Sequence, residues 1–246
     1  MTPIPPTFRS LAPRARVPES TRIYAIGDIH GRLDLLDDVL ARIDADVVSR
    51  PTWQAIRVFL GDYIDRGPNS KGVLDRLISY CVEQPTVCLM GNHEAYLREF
   101  LRGPDVLSAW RHYGGLETLL SYGLVPTIEA DKQAQQLASQ LDSIFPSSHR
   151  VFLRNLKHYF IYGDFFFVHA GVRPGIPLDE QSEDDLLWIR DDFLLSEQHF
   201  GKIVVHGHTP VLEADIRSNR INIDTGAFAT GRLTCLVLEN DNFRFV

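Results

Sequence analysis

Aspartate, histidine and asparagine recur on glycine-bounded turns along this chain of 246 residues. They stand in Gly27-Asp28-Ile29-His30-Gly31, Gly61-Asp62-Tyr63-Ile64-Asp65-Arg66-Gly67, Gly91-Asn92-His93-Glu94, His169-Ala170-Gly171 and His206-Gly207-His208. Carboxylate, amide oxygen and neutral imidazole are donors for divalent metals of borderline hardness, and no thiolate is among them. Asp28 and His30 lie two apart on one tight turn and can face one ion. Asp62 is the natural bridge to a second ion, which Asn92, His169 and His208 would complete. This set suits Mn²⁺ first, with Fe or Zn²⁺ as alternatives, better than an all-oxygen Ca²⁺ site. Two metals about 4 Å apart can hold a hydroxide between them and polarise a phosphoryl oxygen, so no protein nucleophile is needed.

Three residues of these motifs are left over for other work. His93 follows Asn92 directly and is free to protonate a leaving oxygen. Asp65, read as one helical turn beyond Asp62, can accept from the His93 ring and fix its tautomer. Arg66 can offer a bidentate fork to phosphate oxygens, and Arg190, in Trp188-Ile189-Arg190-Asp191-Asp192-Phe193, is the candidate for a second fork. His206 competes with His208, because residues two apart on a strand share a face. His208 is preferred, since Gly207 frees the turn on one side and Thr209-Pro210 ends it on the other. Glu94 suits the first turn of a helix, where an acid complements the dipole.

Strands must bring these turns together. Arg22 to Ile26, Ala55 to Leu60 and Thr86 to Met90 read as short apolar strands, each running into a motif. Helical spacing follows the first two, in Leu36, Val39, Leu40, Ile43, Val47 and in Val73, Leu74, Leu77, Ile78, Cys81. That rhythm predicts βαβ units with a parallel sheet, whose ligands sit beyond the C-terminal strand ends. Residues 96–155 turn helical, with Leu107, Trp110, Leu116, Leu119 and Leu120 as packing positions and a polar helix from Gln133 to Leu141. This stretch reads equally as a cap over the site or as a helical layer of the core. Beyond it, Tyr159 to Tyr162 and Phe165 to Val168 form a hairpin around Gly163-Asp164 and deliver His169. Further strands are expected at Ile203 to Val205, Val211 to Ile216, Ile221 to Ile223 and Leu233 to Leu238. The organisation is an extended Pro-rich arm over 1–20 and one α/β domain over 21–246, with two sheets packed face to face and helices outside.

Composition narrows the class. A formal net charge of −7 excludes a general nucleic-acid binder, which needs a basic excess to neutralise phosphates. Cys81, Cys88 and Cys235 sit in apolar contexts with no metal-type pair, as small buried residues of a reducing compartment do. Neither a secretory signal nor a membrane-spanning run is evident, which makes the cytoplasm the expectation, with no membrane partner.

At these residues, from about Arg22 to Val237, the chain resembles the phosphoprotein phosphatase family of metallophosphoesterases, in its bacterial and phage branch. The resemblance implies a calcineurin-like four-layer α/β/β/α sandwich. It implies a first metal on Asp28, His30 and Asp62, and a second on Asp62, Asn92, His169 and His208. It puts the acid on His93 with Asp65, phosphate contacts on Arg66, Asn92 and Arg190, and leaves His206 a bystander. It implies a phosphatase for phosphoserine or phosphothreonine proteins, phosphotyrosine included as a further substrate, or for small phosphate esters. The alternative within the same branch is a symmetrical dinucleoside tetraphosphate hydrolase. Those relatives typically end the third motif in Asp, where this chain has Glu94, which tilts the reading toward the phosphoprotein. A non-catalytic binding module ranks third, because it needs a missing ligand and none is missing. The segment Ile223-Asp224-Thr225-Gly226 resembles prokaryotic members, without the tyrosine-bearing loop of the eukaryotic enzymes.

Overall fold

The computed structural model describes residues 9–10, 15–127 and 133–246. Residues 1–8 and 11–14 of the expected arm lie outside the described residues, as do 128–132 of the helical stretch. The described strands are β1 (Arg9–Ser10), β2 (Thr21–Ile26), β3 (Gln54–Phe59), β4 (Thr86–Cys88), β5 (Tyr159–Tyr162), β6 (Phe165–Val168), β7 (Ile203–His206), β8 (Asp215–Ile216), β9 (Arg220–Asn222), β10 (Cys235–Glu239) and β11 (Asn242–Phe245). The helices are α1 (Leu33–Ser49), α2 (Ser70–Glu83), α3 (Asn92–Phe100), α4 (Leu107–Trp110), α5 (Gly115–Ser121), α6 (Ala134–Ile144), α7 (Ser147–Asn155), α8 (Glu183–Trp188), α9 (Asp191–Leu194) and α10 (Ala227–Thr230).

One sheet runs β1-β11-β10-β2-β3-β4 and the other β5-β6-β7-β9-β8. Within them β2, β3 and β4 are mutually parallel, as are β6, β7 and β9. Parallel strands aim their C-terminal ends in one direction, so the turns after β2, β3 and β4 open together, as do those after β6 and β7. The antiparallel β5–β6 hairpin forms where expected. The strand expected over 211–216 shortens to β8, because Val211 gives its N–H to Asp224 O outside the ladder.

Side-chain alternation builds the layers. Ile23 and Ala25 of β2, Phe165 and Phe167 of β6, and Leu236 and Leu238 of β10 meet between the sheets. Their neighbours Tyr24, Ile26, Cys235 and Val237 face outward onto α1 and α2, through Leu36, Val39, Leu40, Val73, Leu74 and Leu77. Phe166, Val168 and Val204 face the opposite way, onto Leu186 of α8 and Phe193 of α9. Three apolar interfaces separate four layers, α/β/β/α, as expected. The helical stretch continues the α1–α2 layer, with Leu107, Trp110, Leu119, Leu137 and Leu141 buried in it, while Leu120 is exposed. Of the described arm, β1 pairs with β11, and Ala15 and Val17 are buried in the inter-sheet core. No helix among the described residues is long and apolar enough to cross a membrane.

Phe167 is fully buried between the sheets. Phe167→Ala should lower unfolding stability by about 3–5 kcal/mol, the usual cost of a large-to-small change in a close-packed core. Urea titration of both proteins measures this; a loss under ~1 kcal/mol would mean the two sheets are not packed as described.

Candidate active site

All five motifs lie at or just past the ends of β2, β3, β4, β6 and β7, the fifth beginning on His206, the last residue of β7. The first two are tied by backbone bonds from Ile29 and His30 N–H to Asp62 O, at 3.0 and 2.9 Å, and from Gly31 N–H to Tyr63 O at 2.8 Å. Their residues are bent sharply. Seven non-glycine residues have left-handed φ among the described residues, and five are His30, Asp62, Asp65, Arg66 and His208. Asp65 therefore does not lie a helical turn beyond Asp62; an irregular turn carries both. The third motif fits underneath because residue 91 is glycine: a Cβ there would collide with the Asp62 carboxylate and with its backbone N.

Asp62 sits at the centre, buried. Its carboxylate oxygens lie 3.5 Å from His30 Nε2, 3.6 Å from His93 Nε2 and 3.4 Å from His169 Nε2. His30, Asp62 and His93 place ligand-type atoms within 4.8 Å of one another, and so do Asp62, His169 and His208. Asp62 belongs to both groups. Asn92 Oδ1 joins the second, 2.9 Å from His169 Nε2 and 3.0 Å from His208 Nδ1. Asp28 reaches in from the other side: its Oδ2 accepts the His208 N–H at 3.0 Å, while its Oδ1 is buried without a hydrogen-bond partner among the described residues.

Backbone carbonyls set the imidazole tautomers. His30 Nδ1 donates to Ile64 O at 2.9 Å and His169 Nδ1 to Leu60 O at 3.0 Å. Each Nε2 is thereby left with its lone pair aimed at Asp62, the form in which an imidazole binds metal. Burial pushes His30 down to about 3 and His208 to about 2, with neighbouring His93 and His169 adding to the effect, and burial lowers His169 too. Burial opposes the charged form of His93 as well, but Asp62 and Asp65 outweigh it and its pKa rises. Burial pushes Asp28 up, reinforced by Asp224 and Asp62. Burial also works against the Asp62 anion, yet the four histidines around it hold its carboxyl below the usual range. A pair of divalent ions fits this set: several buried carboxyl groups, imidazoles that burial keeps neutral, and an Asp28 Oδ1 buried without a partner among the described residues.

His93 Nδ1 meets Asp65 Oδ2 at 2.6 Å, which leaves Nε2 facing the centre. Arg66 Nη1 lies 3.2 Å from His30 Nε2, with its guanidinium 4.8 Å from the Phe228 ring. Arg190 is more peripheral and exposed, its Nη1 donating to Thr209 Oγ1 at 3.1 Å. His206 is not brought in. It ends β7 on the face of Val204, packed edge-to-face on Phe193 with ring centroids 4.9 Å apart. The left-handed turn at His208 breaks the alternation, so the two histidines do not share a face. His112, His149, His158 and His199 all lie outside the two groups.

Four supporting residues escape the reading of the motifs. Glu94 does more than suit a helix dipole: its carboxylate accepts from the backbone N–H of Asp62, Tyr63, Ile64 and Gly91 at 2.9, 2.8, 3.3 and 3.1 Å. Trp110 Nε1 and Thr118 Oγ1 donate to the Asp65 carboxylate at 2.7 and 2.5 Å. Asp224 is buried beside Asp28 and accepts the Gly226 N–H at 2.9 Å. Only Asp224 had a visible signal, as the acid of Ile223-Asp224-Thr225-Gly226 at another strand end.

A family model for calcineurin-like phosphoesterases matches residues 21–232. A curated relative in Oceanobacillus iheyensis, named bis(5'-nucleosyl)-tetraphosphatase PrpE [asymmetrical], is 28% identical over 241 residues, covering 90% of each chain. The protein of the same name in Anoxybacillus flavithermus is 29% identical over 233 residues, covering 86% of this chain and 88% of its own. A crystal structure of a candidate diadenosine tetraphosphatase superposes with a TM-score of 0.61 at 22% identity, covering 92% of both chains. A cold-active protein-tyrosine phosphatase of a Shewanella species gives 0.59 at 17% identity, over 93% of this chain and 80% of the other. These two structures share the fold.

Glu94→Gln keeps the side chain's size but turns an NH₂ toward backbone N–H donors. It should cost about 1–3 kcal/mol of stability, as an unsatisfied buried donor does, visible as a lower urea midpoint. An unchanged midpoint would mean that Glu94 does not clamp the Asp62 turn.

Proposed function

The chain belongs to the calcineurin-like phosphoesterase family of hydrolases, and from that premise we propose that its substrate is a dinucleoside polyphosphate of the diadenosine tetraphosphate class. The observation that carries this reading is the combination of the curated relatives' name with a full donor set around Asp62. In our assignment Asp28, His30 and Asp62 hold one divalent ion, and Asp62, Asn92, His169 and His208 hold the other. When bound, such ions supply Lewis acidity toward a phosphoryl oxygen and an activated water. The oxygen and imidazole donors suit Mn²⁺, Fe or Zn²⁺.

The chain's own residues do the rest. His93 Nε2 hands a proton to the leaving oxygen, while Asp65 holds the ring from the Nδ1 side. Arg66 and Arg190 approach from two sides and share the non-bridging phosphate oxygens, with the Asn92 amide between them. Free cysteines fit a reducing compartment, the cytoplasm in our reading.

The tilt toward a phosphoprotein rests on Glu94 in place of Asp. Its four backbone hydrogen bonds give Glu94 a clamping task, and with that task the residue says nothing about the substrate. The relatives also support asymmetrical rather than symmetrical cleavage, yielding a nucleoside monophosphate and a triphosphate. A non-catalytic module falls with the family's hydrolases as relatives and no donor missing.

Two experiments test this. With Mn²⁺ present, diadenosine tetraphosphate should be cleaved to AMP and ATP with a higher kcat/KM than phosphoserine or phosphothreonine peptides. Two ADP would reverse the asymmetry, and preference for a phosphopeptide would restore the phosphoprotein reading. His93→Asn should keep two metals per chain by elemental analysis and lose about 10²–10⁴-fold in kcat; undiminished turnover would remove His93 as the acid.

A further inference from the structure

An aromatic cluster borders the site on the side of His93. Tyr113 meets the His93 ring edge-to-face, centroids 6.2 Å apart. It stacks on Tyr96 at 5.4 Å and 22°. Tyr96 in turn abuts Trp188 at 5.3 Å, and Trp188 lies 6.4 Å from His208. The cluster thus runs from the proposed acid round to the second ligand group. Tyr113 and Trp188 still present part of their rings to solvent, 42% and 36% exposed.

Tyr113 is held in place rather than left on a free surface. It ends the short 3₁₀ turn Arg111–Tyr113, and Gly114 follows with φ 94. Gly114 O accepts the Arg66 N–H at 3.2 Å, and a Cβ on Gly114 would come within 2.5 Å of Arg66 N. Trp110, just before this turn, is bonded to Asp65. The backbone that carries Tyr113 is therefore locked to the Asp65-Arg66 turn that orients the acid.

We propose that Tyr113, backed by Tyr96, is a stacking platform for the nucleobase of the nucleotide that departs with the leaving oxygen. The inference rests on the function proposed above. His93 marks the leaving side, so whatever follows the leaving oxygen extends past Tyr113. A nucleobase offers a flat face that stacks on tyrosine, whereas a phosphoserine peptide offers none at that place. A stacked tyrosine pair loses little conformational freedom on binding, because the ring is already fixed.

The test compares Tyr113→Ala, Tyr113→Leu and Tyr113→Phe with the parent enzyme loaded with Mn²⁺, on diadenosine tetraphosphate and on phosphoserine. One base–aromatic stack corresponds to about a tenfold effect or more. Tyr113→Ala should raise KM for diadenosine tetraphosphate about tenfold, with the larger share of the loss in KM rather than kcat. The ratio of kcat/KM values for the two substrates should shift by the same factor, and Tyr113→Phe should restore it. Tyr113→Leu keeps bulk without a ring and should behave as Ala does, should Ala fail to fold. Equal losses on both substrates, or no recovery with Phe, overturn the platform. If the parent enzyme ignores diadenosine tetraphosphate, the proposed substrate is wrong, and competitive inhibition of phosphoserine hydrolysis by AMP then decides the platform separately. A Ki raised about tenfold in Tyr113→Ala supports it, and an unchanged Ki overturns it.

Discussion

A carboxylate taken out of water needs partners, and the structure is organised around supplying them to Asp62. Burying such a charge costs several kcal/mol unless it is paired and hydrogen-bonded. Asp62 finds three histidine rings within 3.6 Å and the His93 backbone N–H at 3.2 Å. Each partner arrives from a different strand end or from the start of α3, so the carboxylate is where the two sheets' loops are sewn together. The pairing is incomplete: Asp28 and Asp224 add further buried carboxyl groups, which burial pushes toward their neutral forms, and the imidazoles of His30 and His208 are pushed toward neutrality as well. Divalent cations, where bound, would hold these carboxyl groups in their charged forms.

Convergence on one carboxylate strains the backbone. Left-handed φ at His30, Asp62, Asp65, Arg66 and His208 costs of order 1–3 kcal/mol per residue in sparsely populated regions. Rigid surroundings must hold these residues against relaxation. The Ile29, His30 and Gly31 amides bonded to the Asp62 turn do so from one side, and the four bonds into Glu94 do so from below. Both turns grow from parallel strands β2 and β3, paired over their whole length. The sandwich is thus the frame that keeps the strain in place.

How much of this could be read in the chain depended on how local each signal is. The elements were legible, because the apolar run Phe165 to Val168 reads as a buried strand and Val73, Leu74, Leu77 as one helix face; which way each Phe points came only with the structure. The convergence of Asp28, His30, Asp62, Asn92, His169 and His208 was legible because each ends a strand. The shape of the turns was not: a helical turn from Asp62 to Asp65 satisfies the spacing equally well, and the left-handed φ of Asp62, Asp65 and Arg66 rules it out. Glu94, Trp110 and Thr118 were hidden for a related reason. Their tasks are hydrogen bonds to residues 30 to 53 positions away, or to backbone N–H groups that no side-chain pattern reveals.

The helical stretch after α3 shows why cap and core were equally good readings of it. Its leucines bury against α2 as any core layer does, and His149 ties it there through Tyr122 at 2.6 Å and Asp75 at 2.9 Å. Trp110 and Thr118 of the same stretch grip Asp65, which grips His93. One carboxylate therefore holds His93, the acid in our proposal, and anchors the segment that borders it. In the proposed reading the strand ends hold the reacting phosphate, the helical stretch borders the departing group, and Asp65 joins the two. On that reading a change in the stretch that moves Trp110 or Thr118 disturbs proton delivery as well as substrate fit, because no other side chain among the described residues holds His93 Nδ1.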